Sequence, residues 1–224
     1  MPKQIPDFEK EYIKGLRKND LDVLGLLDKR DKDLLKKISN FSKKHGFKEK
    51  EVVLQIKEDK YLRSVFSKDP GKQKLHENIA AKFIESLSSV KSFRQLNHSE
   101  LFIVKGGVIP KKELIKQGSH KSAKTIDFEW ETKNKKIYAS HKYTKEGGGA
   151  QDNQYKDLQE FISESNQSNL QNTLFLAIAD GAYYQTRDAG AGIKKIDYLK
   201  RLANKHNTFA LNINELEEFL VKQR

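Results

Sequence analysis

Residues 125–143 read TIDFEWETKNKKIYASHKY, and apolar and polar side chains alternate through two short parts of this stretch. The alternation predicts one strand over Thr125–Glu131 and a second over Lys136–Tyr143, joined as a hairpin. If the strands pair, Asp127 and Lys142 converge on the same side. A carboxylate beside a lysine can hold Mg²⁺ and act on a water near a phosphodiester. The same pattern also fits a solvated sheet face whose opposite charges pair.

The segments around this hairpin predict an α/β domain with a mixed sheet. Thr173–Ala179 is an unbroken apolar run and the best candidate for a buried strand. Residues 111–124 are predicted as a lysine-rich loop. The other predicted elements are a helix at 72–90, a strand at 101–104, helices at 153–165 and 193–205, a strand at 209–213 and a closing helix from Asn214.

Residues 7–65 have the spacing of short amphipathic helices. Asp31 is a predicted helix N-terminal signal, as is Asp20. Helix breaks are predicted near Gly15, at Asn19-Asp20 and at His45-Gly46. The clearest interruption is Lys68-Asp69-Pro70-Gly71. We therefore predict an N-terminal helical extension over 1–70, a candidate for DNA recognition, and a second domain over 71–224.

The composition excludes several classes of protein. The chain has 224 residues and no cysteine, which excludes disulfides, Cys-ligated zinc and thiol catalysis and is compatible with a cytoplasmic location. No apolar run approaches the roughly 20 residues that cross a bilayer, so neither a membrane nor secretion is expected. There is no phosphate-binding G-x-x-x-x-G-K-[ST] motif and no H-E-x-x-H zinc motif. His141 falls on the apolar face of its strand and is predicted to be a core residue.

The formal net charge is +12, and the excess is localised. Residues 105–145 hold eleven lysines and four acidic residues, a net charge of +7. Such a segment favours an anionic partner such as nucleic acid, although a generally lysine-rich surface would look similar. The loop Asp180–Lys195 adds Tyr183 and Tyr184, whose rings beside amide and guanidinium groups suit contacts to base edges and phosphates. The predicted DNA-binding residues are Lys111, Lys112, Lys116, Lys121, Lys124, Gln185 and Arg187.

The order Ile126-Asp127, twelve residues, then Ser140-His141-Lys142 resembles the divided motif of the PD-(D/E)xK nucleases, a superfamily that includes many type II restriction endonucleases. The segments KYTKEGGGA at 142–150 and QYKDLQEF at 154–161 are similar to the cleavage domain of type IIS restriction enzymes. The resemblance covers about residues 72–215. It implies a restriction-endonuclease-like core, Mg²⁺ as cofactor, double-stranded DNA as substrate, and 5′-phosphate and 3′-hydroxyl product ends.

Two positions depart from the pattern of this superfamily. Ile126 stands where proline is common, and Ser140 stands where a carboxylate usually begins the (D/E)xK triplet. A hydroxyl is a much weaker Mg²⁺ ligand than a carboxylate, so another acid is expected to complete the site with Asp127. Glu77 is the favoured substitute. In this superfamily, the helix that corresponds to residues 72–90 often contributes a glutamate to the metal site. Glu129, on the same strand face as Asp127, is the second candidate.

The resemblance assigns further roles. Lys142 would orient the attacking water or stabilise charge on the phosphate, and Gln154 would help to hold the phosphate or the water. The glycines at 147–149 would let the DNA backbone approach the main chain. The leading hypothesis is a type II restriction enzyme, with a homodimer as the usual arrangement for palindromic sites. The alternatives are a non-catalytic DNA-binding protein on a degenerate nuclease core and a structure-specific DNA repair nuclease.

Overall fold

The computed structural model of the protein describes residues 3–68, 74–97, 99–118 and 122–223. The chain forms two compact units. One spans Asp7–Leu75, and the other runs from His76 to the C-terminal helix and includes the segment before Asp7. The boundary predicted at Pro70-Gly71 lies outside the described residues. Across the described ranges, no helix combines the length and the apolar character needed to cross a bilayer.

The first unit is helical, as predicted. Its helices are α1 (Phe8–Asp28), α2 (Lys32–His45), α3 (Glu49–Glu58) and α4 (Lys60–Phe66). Asp31 caps α2 by accepting a hydrogen bond from the backbone N–H of Leu34 at 2.9 Å, and Gly46 ends the helix with φ of 72°. The apolar core of this unit consists of Val23, Leu27, Leu34, Ile38, Val52, Ile56 and Phe66.

The breaks predicted at Gly15 and at Asn19-Asp20 are wrong, because α1 continues through both. A glycine inside a helix costs only about 1 kcal/mol relative to alanine, which tertiary contacts can outweigh. The side chain of Leu75 packs against Gly15 so closely that an added Cβ would lie 3.2 Å from it. Asn19 is itself buried. Packing on this side of α1 therefore holds the helix together where local propensity alone is weak.

The second unit contains the remaining described elements. Its helices are α5 (Leu75–Ser86), which begins at the unit boundary, α6 (Lys111–Lys116), α7 (Gly149–Ser165), α8 (Lys195–Leu202) and α9 (Ile213–Lys222). Its strands are β1 (Ser92–Gln95), β2 (Leu101–Val104), β3 (Gly107–Pro110), β4 (Lys124–Thr125), β5 (Phe128–Glu131), β6 (Lys136–Tyr143), β7 (Thr173–Asp180) and β8 (Thr208–Leu211).

The central sheet has five strands in the order β1-β5-β6-β7-β8. The pairs β1/β5 and β5/β6 are antiparallel, whereas β6/β7 and β7/β8 are parallel. The prediction of an α/β layout with a mixed sheet is therefore confirmed. All eight residues of β7 are buried, as expected for a strand covered on both faces of the sheet.

The two faces of the central sheet have different neighbours. Tyr138, Phe175 and Ala177 point to the face covered by α7 and α8, where they join one apolar core. His141 and Tyr143 point to the other face, because side chains alternate along β6. The start of α5 contacts that face, since the ring of His76 stacks on Tyr143 with a centroid separation of 4.1 Å.

The strand predicted over Thr125–Glu131 is split between two sheets. Thr125 belongs to β4, which pairs with β2 in a separate sheet of order β3-β2-β4. The backbone N–H of Ile126 donates to Leu101 in β2, whereas that of the next residue, Asp127, donates to Ala139 in β6. Asp127 thus lies where the chain passes from one sheet to the other, which periodicity along one strand could not reveal.

The prediction of a lysine-rich loop over 111–124 is also wrong in part. Lys111–Lys116 forms α6, whose buried residue is Leu114, and the segment ends in β4. Strands β1 and β3 were missed as well. Each has four residues and lacks a buried apolar alternation of its own, so each is defined by the strand with which it pairs.

Candidate active site

The carboxylate of Asp127 is the centre of a buried hydrogen-bonding cluster. Its Oδ2 accepts from the hydroxyl of Ser140 at 3.1 Å and from the backbone N–H of His141 at 2.8 Å. The ammonium nitrogen of Lys142 lies 3.4 Å from the same oxygen. Asp127 is only 6% exposed, so these donors stabilise its charge where water contributes little.

The backbone fixes the position of this carboxylate. The N–H of Asp127 donates to the carbonyl of Ala139, and its carbonyl accepts from the N–H of Leu96, both at 2.9 Å. Ser140 and Lys142 lie on one face of β6 because they are two residues apart on a strand. The convergence of Asp127 and Lys142 that the sequence predicted is therefore present.

A cleft of about 200 Å³ opens beside this cluster. Its lining residues are Ala123, Lys124, Thr125, Ser140, Lys142 and Asp157. Asp157, on α7, brings a carboxylate to the cleft, and the sequence reasoning did not identify it. The available signal was helical spacing, because Asp157 lies three residues after Gln154 and hence on the same side of the helix.

Lys124 is held by acidic residues of α7. Its ammonium group lies 3.0 Å from Oδ1 of Asp157 and also contacts the carboxylate of Glu160. Burial lowers the pKa of Lys124, but the hydrogen bonds to Glu160 and Asp157 outweigh this effect, so the net pKa is raised. Lys124 therefore stays charged, and its charge is balanced within the protein.

Glu129 is engaged elsewhere on the sheet. Its Oε1 lies 2.7 Å from Arg94 on β1, and its Oε2 lies 3.7 Å from Lys136 on β6. The negative charge of Glu129 is therefore balanced by two cations.

Glu77 lies in the first turn of α5 and is half-buried. On one side of it, His76 stacks on Tyr143, and on the other, Asn78 accepts a hydrogen bond from Gln95 at 2.8 Å. The first turn of α5 therefore spans from the end of β6 to β1. It approaches from the face of β6 opposite to Lys142. Burial, with repulsion from His141 as a smaller cause, lowers the pKa of His76 to about 4.

Whether these residues can hold a metal ion depends on the ligand atoms that they offer. In the described part of the chain, no group of three or more His, Asp or Glu side chains is placed to hold a metal. The hydrogen bonds that described residues donate to the Asp127 carboxylate all end on Oδ2, so Oδ1 is the oxygen that a cation would take. Ser140 uses its hydroxyl as a donor to Asp127. The residues thus fit a Mg²⁺ held by one or two carboxylates, with water and phosphate oxygens completing its six ligands.

No protein-family model, curated protein or solved structure matches this chain.

His141 is buried, as predicted for a core residue, and it is 1% exposed. Its Nε2 lies 3.0 Å from Oδ2 of Asp180, at the end of β7. The other oxygen of Asp180 accepts from the backbone N–H of Ile213 at 2.9 Å. This buried pair ties β6 to β7 and α9 one residue away from Lys142.

The turn after β6 brings Gln154 close to the site. The hydroxyl of Thr144 donates to Oε1 of Gln154 at 2.7 Å, so this amide oxygen already has a donor within the protein. Gly181 allows the close approach of the following loop, because its φ is 102° and an added Cβ would overlap the backbone of Thr144.

The predicted DNA-binding residues are distributed over three places, and Lys124 is the one that lines the cleft. Lys111, Lys112 and Lys116 are exposed on α6, and Lys121 lies outside the described residues. Gln185 and Arg187 are exposed in the loop after β7. The expectation that tyrosines of this loop face DNA bases is wrong, because Tyr183 and Tyr184 are 5% and 0% exposed and belong to the core.

Proposed function

We propose that the chain is a Mg²⁺-dependent endonuclease that hydrolyses phosphodiester bonds in double-stranded DNA, of the type II restriction class. The observation that carries the proposal is the cluster of Asp127, Ser140 and Lys142 around one carboxylate oxygen, beside an open cleft. Such a cluster is suited to phosphate chemistry, because an acid and an ammonium group meet at an accessible edge.

The arrangement of the sheet supports a restriction-endonuclease-like core. Two antiparallel pairs are followed by two parallel pairs, and α7 connects the first parallel pair. Asp127 comes just before β5 and Lys142 lies near the end of β6, where the motif of that superfamily would lie.

Each residue would have a distinct part in hydrolysis. The ammonium group of Lys142 would stabilise negative charge on the scissile phosphate and orient the attacking water. Ser140 would hold the carboxylate of Asp127 in place through its hydroxyl. A Mg²⁺ ion held by Asp127, together with Asp157 of the cleft, would supply positive charge that lowers the pKa of water. A homodimer would supply one such centre for each strand of a palindromic site, so a homodimer belongs to the proposal.

One observation favours a second candidate, a non-catalytic DNA-binding protein on the same core. Ser140 and Lys142 both donate to the Asp127 carboxylate, and within the described chain no group of three or more His, Asp or Glu side chains is placed to hold a metal. A cluster whose charges are balanced within the protein stays stable without a bound metal, so the fold can be retained after catalytic activity is lost.

Digestion of supercoiled plasmid and phage DNA with Mg²⁺ separates the candidates. Discrete fragments with 5′-phosphate ends are expected, and the Asp127→Asn variant prepared in parallel should produce none. Binding without cutting would replace the proposal with the non-catalytic function. Cutting of branched substrates alone would assign a structure-specific nuclease.

A further inference from the structure

The residues that follow Tyr183 and Tyr184 form a short hairpin, here called the 186–195 hairpin. Arg187 and Lys194 face each other as an antiparallel bridge. The backbone N–H of Asp188 donates to Ile193 at 2.7 Å, and that of Lys195 donates to Thr186 at 2.9 Å. The two arms are thus held at both ends of the bridge.

This bridge places two positive charges directly opposite each other. Arg187 and Lys194 are both exposed, and within the described ranges neither forms an ion pair with an acidic side chain. Like charges in cross-strand positions repel and destabilise the pairing. An anion bound between them would remove that repulsion.

The nearest carboxylate in sequence is already used. Oδ1 of Asp188 accepts from the backbone N–H groups of Gly190 and Ala191 at 3.0 and 2.8 Å, and its Oδ2 accepts from the hydroxyl of Tyr155 at 3.0 Å. The hydrogen bond from Ala191 is the main cause that lowers the pKa of Asp188. Asp188 therefore shapes the hairpin turn and does not pair with Arg187.

The hairpin is anchored, which fixes the backbone positions of Arg187 and Lys194. The ammonium group of Lys195 bonds to the hydroxyl of Thr186 at 2.9 Å and to the carbonyl of Arg187 at 3.0 Å. It also lies 4.5 Å from the ring centre of Tyr183, a cation–π contact. The hydroxyl of Tyr183 donates to Asp152 in the first turn of α7, and burial raises the pKa of Tyr183 to about 12. Lys195 is thus an internal tether, unlike Lys194.

The anchor also places the hairpin at the same end of the sheet as the cleft. The backbone N–H of Tyr183 donates to the carbonyl of Thr144 at 3.2 Å. Thr144 is two residues after Lys142, at the end of β6. A DNA backbone near the cleft would therefore pass close to the exposed cations of the hairpin.

We propose that Arg187 and Lys194 form a clamp for backbone phosphates of double-stranded DNA, and that they contact phosphate rather than base edges. This inference rests on the proposed function. A guanidinium and an ammonium group side by side match the charge and oxygen geometry of a phosphodiester. The aromatic rings nearby are buried, so the hairpin presents charge without a stacking surface. Phosphate contacts would set the position of the duplex but not its sequence.

The test compares the double variant Arg187→Gln/Lys194→Gln with a matched control, Lys133→Gln/Arg201→Gln. The control removes the same charge from two exposed residues at the opposite end of the sheet, in the β5–β6 connection and near the end of α8. Binding to several unrelated 20-base-pair duplexes is measured by fluorescence anisotropy in EDTA, between 50 and 300 mM KCl.

The clamp variant should reduce the log–log salt slope by roughly 1 to 2, equally for every duplex, since each phosphate contact contributes about 0.9. The control should keep the wild-type slope, and the thermal midpoint of the clamp variant should equal or exceed that of the wild type. A slope equal to that of the control, or a loss confined to one duplex sequence, would overturn the clamp alone. Failure of the wild-type protein to bind any duplex would overturn the proposed function as well.

Discussion

The ammonium nitrogen of Lys142 lies 3.4 Å from Oδ2 of Asp127, at the long end of hydrogen-bonding distance. The side chain of Lys142 is 18% exposed and that of Asp127 is 8% exposed. The lysine therefore reaches from the buried carboxylate to the edge of the cleft. It is placed to transfer its hydrogen bonds to an anion that enters there, whereas Asp127 stays fixed.

The carboxylate of Asp127 should be essential for cleavage but not for DNA binding. Asp127→Asn removes the charge that Ser140, Lys142 and the backbone of His141 stabilise, and with it the metal ligand. We expect cleavage to fall below detection while duplex affinity changes by less than roughly tenfold. Plasmid cleavage and anisotropy on one preparation measure both, and circular dichroism verifies the fold. Retained cutting would remove the assigned site.

The acid that assists Asp127 can be identified by comparing three variants. Glu129 is already balanced by Arg94 and Lys136, so Glu129→Gln should be mild. Glu77→Gln should also be mild, with less than about a tenfold loss of single-turnover cleavage, because α5 begins on the face of β6 opposite to Lys142 and the Asp127 carboxylate.

Asp157→Asn is the third variant, because Asp157 lines the cleft. A larger loss with this variant than with Glu77→Gln would assign the assisting role to α7. Wild-type rates with both would mean that no acid assists Asp127 from either helix.

The lysines of α6 and Lys124 should respond differently to neutralisation. Lys111, Lys112 and Lys116 are exposed, so replacing two of them with Gln should lower the log–log salt slope of binding by about 2. Lys124→Gln should leave the slope nearly unchanged, since Asp157 and Glu160 already balance that charge. Salt titrations of both variants measure the difference. Equal slopes for the wild type and all variants would show that these lysines do not contact phosphates.

The buried pair of His141 and Asp180 should contribute to stability rather than to catalysis. His141→Leu leaves Oδ2 of Asp180 without its imidazole partner, at a cost of about 2–4 kcal/mol in the free energy of unfolding. The bond from His141 to Asp127 comes from the backbone, so cleavage well below the melting temperature should stay within about tenfold. Urea unfolding and a cleavage assay test the two parts. Asp180→Asn combined with His141→Leu should cost less than the sum of the single variants.

Local patterns in the sequence determined a large part of this architecture. Alternation placed Ser140 and Lys142 on one face of β6 and His141 on the other, and an apolar run identified β7. Asp31 and Gly46 set the ends of α2. These features depend on residues close together in the chain, because side-chain direction repeats with the period of a strand or a helix.

Only the tertiary structure shows at which residue the backbone passes from one sheet to the other. Ile126 and Asp127 bond to strands of different sheets, so one predicted strand became two. Lys124 was counted among the DNA-binding lysines, yet acids of α7, more than thirty residues away, balance its charge. Tyr183 was predicted at the surface, but its ring packs into the core beneath a tethered hairpin. In each case the outcome depends on which distant residue supplies a hydrogen bond, a charge or an apolar surface, and that choice is made only when the whole chain is packed.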